Sequence, residues 1–180
     1  NQPERALDIF EAMRMQGLAP DLIMYNALIS ACSKDKQPER ALKLFEDMRA
    51  KGLAPDVITY SALISVSDKG KRPALALELF EAMQERGLTP NAIIYKALIN
   101  ACSHGTQPKQ ALRLLKAMQG QMFSPDAITY SALVSVCEKG RQPKRVLELL
   151  EALQGHGVAS DVMTYRSSIE ARNYLRMSGG

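Results

Sequence analysis

The sequence predicts an all-α protein, a right-handed α-solenoid of stacked antiparallel helix pairs. Three observations lead to this fold class. A segment of 35 residues recurs along the chain, each copy holds two stretches with helical apolar spacing, and a polar break with a proline or glycine separates the stretches. A helix pair of this size cannot bury its own apolar stripe, so neighbouring pairs must stack on one another.

The repeat is marked by a proline followed five residues later by a tyrosine. Its prolines are Pro20, Pro55, Pro90 and Pro125. When the first full repeat is aligned with the second, about half of the positions are identical. We therefore predict one solenoid over residues 1–180, with a half repeat over 1–21, full repeats over 22–56, 57–91, 92–126 and 127–161, and a partial repeat with a C-terminal cap over 162–180.

The first helix of each repeat is predicted to begin just after an aspartate or asparagine. In the first full repeat, Tyr25, Leu28, Ile29 and Cys32 follow the i, i+3, i+4, i+7 spacing of one helix face. Asp21 precedes this helix, where a carboxylate accepts a hydrogen bond from an unpaired backbone N–H. We therefore expect Asp21, and its equivalents in later repeats, to be N-caps.

The second helix is predicted to follow the polar break Ser33–Pro38. Proline suits the first turn of a helix because it has no N–H to satisfy. Helical apolar spacing then resumes at Ala41, Leu42, Phe45 and Met48. Gly52 follows, and glycine is favoured just beyond a helix C-terminus because it accepts a left-handed backbone.

Composition excludes several classes of protein. Hydrophobic residues make up 46% of the chain, enough for a core, while every uncharged run is far shorter than a bilayer requires. Cys32, Cys102 and Cys137 share one apolar repeat position and are interpreted as small core residues, as is the methionine column Met13, Met48, Met83 and Met118. His104 and His156 form no metal-ligand spacing. We therefore predict no enzyme, no cofactor, no metal, no membrane contact and no small-molecule substrate.

A cation recurs at the end of each first helix. The residues are Lys34, Lys69, His104 and Lys139, and the net charge of the chain is +4. A ladder of this kind suits the regular phosphates of a nucleic acid. A cation in the last turn also complements the helix dipole. The sequence leaves both interpretations open.

The 35-residue period, the Pro-Asp and Tyr opening, and the runs Tyr25 to Ile29 and Ala41 to Met48 resemble the pentatricopeptide repeat family. The resemblance covers nearly the whole chain. It implies single-stranded RNA as the partner, bound one base per repeat on the concave face formed by the first helices. It also implies a role in RNA processing, stability, splicing or translation in a mitochondrion or chloroplast.

The same resemblance implies roles for individual residues. The base-reading pairs would be Asn26 with Asp56, Ser61 with Asn91, Lys96 with Asp126, and Ser131 with Asp161, which implies a preference for U-A-N-G read 5′ to 3′. The residues matching the family's base-sandwiching position are Ile23, Ile58, Ile93, Ile128 and Met163. Lys34, Lys69 and Lys139 match its phosphate-contacting lysine, from which His104 departs.

Other interpretations remain for these residues and for the chain. The isoleucines would instead pack between repeats, and the aspartates would only cap helices. The rival function is a protein-binding scaffold, such as a subunit of an organellar ribosome or ribonucleoprotein. We also expect few repeats to bind RNA weakly, so that useful specificity needs more repeats, self-association or a protein partner.

Overall fold

The computed structural model describes residues 10, 12, 15, 19–33, 36–155, 169–174 and 176–177, which form helices joined by short turns. The helices are α1 Leu22–Cys32, α2 Pro38–Ala50, α3 Val57–Lys69, α4 Pro73–Glu85, α5 Ala92–Gly105, α6 Pro108–Gly120, α7 Ala127–Lys139 and α8 Pro143–Gly155. Residues 169–174 and 176–177 are also helical. The described part of the chain contains no strand, so the predicted all-α class is confirmed.

The predicted helix ends are confirmed by their capping contacts. Asp21 Oδ1 accepts a hydrogen bond of 2.8 Å from Met24 N, and Asp56 Oδ1 accepts one of 2.8 Å from Thr59 N. The second helices α2, α4 and α6 begin at their prolines. After α2, Gly52 adopts a positive φ of 77°, as expected for a residue beyond a helix C-terminus.

The chain divides into two compact units, residues 1–97 and 98–180, called unit 1 and unit 2 below. In unit 1, α1 packs on α2 and α3, and α3 packs on α2 and α4. The rings of Phe45 and Tyr60 meet edge to face, with centroids 5.8 Å apart. The first and second helices of unit 1 therefore form two layers with the aromatic side chains between them.

In unit 2, α7 packs on α6 and α8. Tyr130, Val136 and Cys137 of α7 are fully buried. Gly140 follows α7 so close to Pro108 that a Cβ added there would lie 2.7 Å from the proline Cγ. The equivalent approach in unit 1 joins Gly70 to Pro38 at 2.8 Å. Both units thus join successive repeats by a glycine set against a proline ring.

The small and soft residues predicted for the core are buried. Met48, Met83 and Met118 have no exposed surface, while Met13 lies outside the described residues. Cys32, Cys102 and Cys137 are buried free thiols, and burial raises the pKa of Cys102 and of Cys137 to about 11. Such thiols stay protonated and unreactive at neutral pH.

The described residues offer neither a metal site nor a membrane-spanning helix. No group of histidine, cysteine, aspartate and glutamate side chains there could hold a metal ion. No described helix is long and apolar enough to cross a membrane. Residues 162–168 of the predicted C-terminal cap lie outside the described residues, and the single solenoid over residues 1–180 stays a prediction.

Candidate nucleic-acid interface

The isoleucines that precede each repeat tyrosine are exposed to solvent. In unit 1, Ile23, Ile58 and Ile93 are 77%, 64% and 60% exposed, and in unit 2 Ile128 is 75% exposed. The alternative in which these side chains pack between repeats does not fit such exposure. Met163, the fifth member of this set, lies outside the described residues. A contiguous exposed apolar patch is typical of an interaction site.

Unit 1 holds an open groove of about 390 Å³ lined by residues of three first helices, α1, α3 and the start of α5. Its lining residues are Ser30, Ser33, Ile58, Ser61, Ala62, Ser65, Lys69, Asn91 and Ile93. The groove therefore brings the second base-reading pair, Ser61 and Asn91, together with two exposed isoleucines and a lysine. Four serines line the groove beside the two isoleucines, so its lining is partly polar and partly apolar.

The polar atoms of this second pair are largely uncommitted. Asn91 Oδ1 accepts a hydrogen bond of 3.0 Å from Ile94 N and so caps α5. Neither Asn91 Nδ2 nor the Ser61 hydroxyl bonds to another described residue. An amide with two donor hydrogens and a hydroxyl that donates or accepts thus line the groove.

Unit 2 holds a groove of similar construction, of about 360 Å³. It is lined by Asn100, Ser103, Ala127, Ile128, Ser131, Ala132 and Ser135. The Ser131 hydroxyl bonds to no other described residue, and its predicted partner Asp161 lies outside the described part of the chain. The groove thus repeats in unit 2 the combination of an exposed isoleucine with small polar side chains.

The first base-reading pair is built differently. Asn26 is only 8% exposed, and its Nδ2 donates to Asp56 Oδ1 over 3.2 Å. Asn26 Oδ1 accepts a hydrogen bond of 2.7 Å from the Thr59 hydroxyl. Partial burial opposes the charge of Asp56, but hydrogen bonds from Thr59 and Asn26 outweigh it and lower the pKa of this carboxyl. Asp56 therefore caps α3 and holds Asn26 at the same time.

Thr59 was missed by the sequence interpretation. It lies three residues after the N-cap Asp56 and completes a capping box with it, because Asp56 N donates to the Thr59 hydroxyl over 3.2 Å. That spacing was the available signal. The contact with Asn26 carried no local signal, since the two residues lie 33 positions apart.

The third predicted pair consists of a cation and an aspartate. Lys96 lies on α5 and is partly exposed. Asp126 is the N-cap of α7, where its Oδ1 accepts from Thr129 N at 2.9 Å and from the Thr129 hydroxyl at 2.7 Å. The two described aspartates of the predicted pairs, Asp56 and Asp126, thus cap helices, and a carboxylate has further acceptor positions beyond those that capping uses.

The predicted phosphate-contacting residues differ in their surroundings. Lys69 is exposed at the end of α3 and makes no hydrogen bond or ion pair with a described residue. Lys139 Nζ donates to Ser103 O over 2.7 Å and so satisfies a carbonyl near the end of α5. His104 lies in the last turn of α5, and Lys34 lies outside the described residues. Lys139 thus bonds the end of a neighbouring first helix, α5, and not the end of its own helix, whereas Lys69 keeps its charge available.

Two family models match this chain. The PPR repeat family model matches residues 20–67, and the model for the pentacotripeptide-repeat region of PRORP matches residues 67–175. No curated protein sequence matches the chain. The crystal structure of pentatricopeptide repeat protein PPR10 from maize is similar, with 26% identity and a TM-score of 0.71 over 98% of this chain. The present chain spans 27% of that protein's length.

Two structures solved with RNA are also similar. PPR10 in complex with an 18-nt psaJ RNA element has 26% identity and a TM-score of 0.68, covering 93% of this chain and 24% of that one. The PPR domain of Arabidopsis thaliana PRORP1, in complex with tRNA, has a TM-score of 0.82 at 18% identity, covering 96% of this chain and 91% of that domain, and shows the fold alone. The predicted α-solenoid class is confirmed, and the chain belongs to the pentatricopeptide repeat family.

Proposed function

We propose that this chain is a sequence-selective module that binds single-stranded RNA, one base per repeat, without cleaving it. The observation that carries the proposal is the exposure of Ile23, Ile58, Ile93 and Ile128. Three of them, Ile58, Ile93 and Ile128, line grooves together with small polar side chains. The similar protein PPR10 has been solved with an RNA element. We propose organellar RNA as the target, acted on in processing, stability, splicing or translation, on the family resemblance alone.

Each part of the groove in unit 1 suits one part of a nucleotide. Unstacked bases need new apolar or aromatic surfaces, and a base held between Ile58 and Ile93 gains them from both sides. The Watson–Crick edge would then meet the Ser61 hydroxyl and Asn91 Nδ2, neither of which bonds to another described residue. Lys69 would meet a phosphate. The proposed pairs give the preference U-A-N-G, with the Lys96 and Asp126 pair left unassigned.

The first experiment measures how much an exposed isoleucine contributes to binding. Ile58→Ala removes one side of the base sandwich, so a short fluorescein-labelled RNA containing UACG should bind roughly fivefold more weakly by anisotropy titration. Met122→Ala is the matched control, because Met122 is 91% exposed in the turn after α6 and lines neither groove. If both variants bind like the parent, the isoleucines do not contact RNA.

The same titration repeated at several salt concentrations separates RNA binding from the scaffold function. Binding through phosphates weakens steeply with salt, with a logarithmic slope of about 0.7 for each single-stranded phosphate contact. Few repeats should give modest affinity even at low salt, because ordering the strand costs part of the stacking energy. If the chain binds no RNA even at low salt, the result favours the scaffold function, in which the same surface binds a peptide.

Base selection is tested at the first reading pair. Asn26→Ser replaces an amide by a hydroxyl beside Asp56, which changes the donors and acceptors offered to the base. We expect the preference at the first RNA position to shift from uracil toward guanine, as the family resemblance implies. An unchanged preference would show that the residue assignments do not transfer to this chain, even where RNA binding itself is observed.

A further inference from the structure

The Thr59 hydroxyl lies at the centre of a small polar network. Its oxygen is 2.7 Å from Asn26 Oδ1, 2.9 Å from Asp56 Oδ1 and 3.2 Å from Asp56 N. The hydroxyl has one proton to donate. Asp56 Oδ1 already accepts from Thr59 N and Asn26 Nδ2, whereas Asn26 Oδ1 has the shortest contact to the hydroxyl. The proton therefore goes to Asn26.

This network fixes which way the Asn26 amide points. Asp56 is held ionised, so it accepts hydrogen bonds only, and the amide atom facing it must be the donor Nδ2. Oδ1 is then turned to Thr59. An asparagine that is 8% exposed and bonded at both ends of its amide has little freedom to turn over.

We propose that Thr59 is a positioning residue for base selection: it locks the Asn26 amide so that the first reading pair offers one donor and one acceptor. The donor is the second hydrogen of Asn26 Nδ2, and the acceptor is the remaining capacity of the Asp56 carboxylate. This inference rests on the proposed function and adds to it a specificity-determining residue, supplied by the following repeat.

A donor beside an acceptor discriminates between bases. Uracil presents an N–H flanked by two carbonyl oxygens, which this pair matches. Guanine offers O6 beside N1–H in the same pattern, but its next donor, N2–H, finds no acceptor in the locked pair. An amide turned over would present Oδ1 beside the carboxylate, and two acceptors suit guanine. Thr59 thus acts mainly by disfavouring the wrong base.

The other repeats lack this combination. At the second reading pair, Ile94 occupies the position of Thr59, and Ser61 occupies that of Asn26. In unit 2, Thr129 is the counterpart of Thr59, and its hydroxyl donates to Asp126 Oδ1 over 2.7 Å. In the repeat that ends at Asp126, the residue at the Asn26 position is Lys96, whose side chain has no acceptor atom for the threonine hydroxyl. Only the first of the three described pairs combines the amide with the threonine.

The test is Thr59→Val, which keeps the shape of the side chain and removes the hydroxyl. RNAs that differ only at the first position are titrated by anisotropy against the parent, Thr59→Val and Thr59→Ser. We expect the uracil-to-guanine affinity ratio to fall roughly fivefold in Thr59→Val, the value of about one net hydrogen bond, with no change at the second position. Thr59→Ser restores the hydroxyl and should restore the ratio.

Thr129→Val is the control for the loss of a capping hydroxyl. It removes the equivalent hydroxyl next to Asp126 and should leave the uracil-to-guanine affinity ratio at the first RNA position unchanged. A Thr59→Val protein that binds all four RNAs equally less well has lost only stability, and that result overturns the inference. If the parent shows no preference at the first RNA position, both the inference and the proposed base reading are overturned. If the parent is selective and Thr59→Val is equally selective, the inference alone is overturned.

A second measurement needs no variant. The side-chain amide of Asn91 serves as an internal reference, because its Nδ2 bonds to no other described residue. Hydrogen exchange followed by NMR on the RNA-free parent should be slower for Asn26 Nδ2 than for Asn91 Nδ2. Equal exchange rates would show that the Asn26 amide turns freely, which overturns the lock.

Discussion

Units 1 and 2 place a lysine followed by a glycine at the end of corresponding first helices. Gly70 in unit 1 and Gly140 in unit 2 each lie against a proline ring, at almost equal distances. The lysines differ, because Lys139 donates to Ser103 O at 2.7 Å, whereas Lys69 makes no bond to a described residue. Repeat position thus fixes the apolar packing of this family member, and it does not fix the partners of the polar side chains.

The largest expected effect concerns the glycines. Gly70 has a helical φ of −77°, so alanine suits the backbone and would by itself stabilise by about 0.4–1 kcal/mol. Its Cβ, however, would meet Pro38 Cγ at 2.8 Å, and overpacking of this kind costs about 1–3 kcal/mol. We expect Gly70→Ala and Gly140→Ala to lower the free energy of unfolding by similar amounts, about 1–2 kcal/mol net, as measured by urea denaturation.

Gly120→Ala is the control for this pair. Gly120 is the last residue of α6, and a Cβ added there would meet nothing within 4 Å. Alanine has the higher helix propensity, by up to about 1 kcal/mol, so this variant should be slightly stabilised. If Gly70→Ala behaves like Gly120→Ala, the proline contact does not restrict the junction between repeats, and the two units do not share this packing.

Local rules account for the parts of the fold that the sequence predicted. A capping aspartate at Asp21, a proline at the start of α2 and a glycine beyond its end each depend on a few neighbouring residues. The buried face followed from helical spacing for the same reason. Ile23 and Ile29 show the limit, because both lie on α1 and only burial against a second helix distinguishes the exposed one from the buried one.

The candidate site was predicted by position and not by contact. The family resemblance indicated Asn26 and Asp56, and they are indeed bonded to each other. The bond from Thr59 to Asn26 spans 33 residues, so it depends on how far one helix is shifted along its neighbour. A repeat period gives the interval between equivalent residues, and it does not give the ångström-scale offset that decides which polar atoms meet.

The smaller expected change in stability concerns Lys69 and Lys139. It tests directly whether these equivalent lysines have different partners in the two units. Lys139→Met keeps the length of the side chain but leaves Ser103 O without its donor, so stability should fall by about 0.5–1 kcal/mol. Lys69→Met should leave stability unchanged, because Lys69 bonds to no described residue, and should reduce the salt dependence of RNA binding by a slope of about 0.7.

Urea denaturation measures the stability, and anisotropy titration at several salt concentrations measures the salt slope. Both are applied to the parent, Lys69→Met, Lys139→Met and the control Lys116→Met. Lys116 is exposed on the second helix α6 and lines neither groove, so its loss should change neither stability nor the salt slope. Equal losses of stability in Lys69→Met and Lys139→Met would mean that both lysines donate a hydrogen bond to a carbonyl at a helix C-terminus. The charge at Lys69 would then belong to the fold of unit 1, and the phosphate contact there would have to come from another residue.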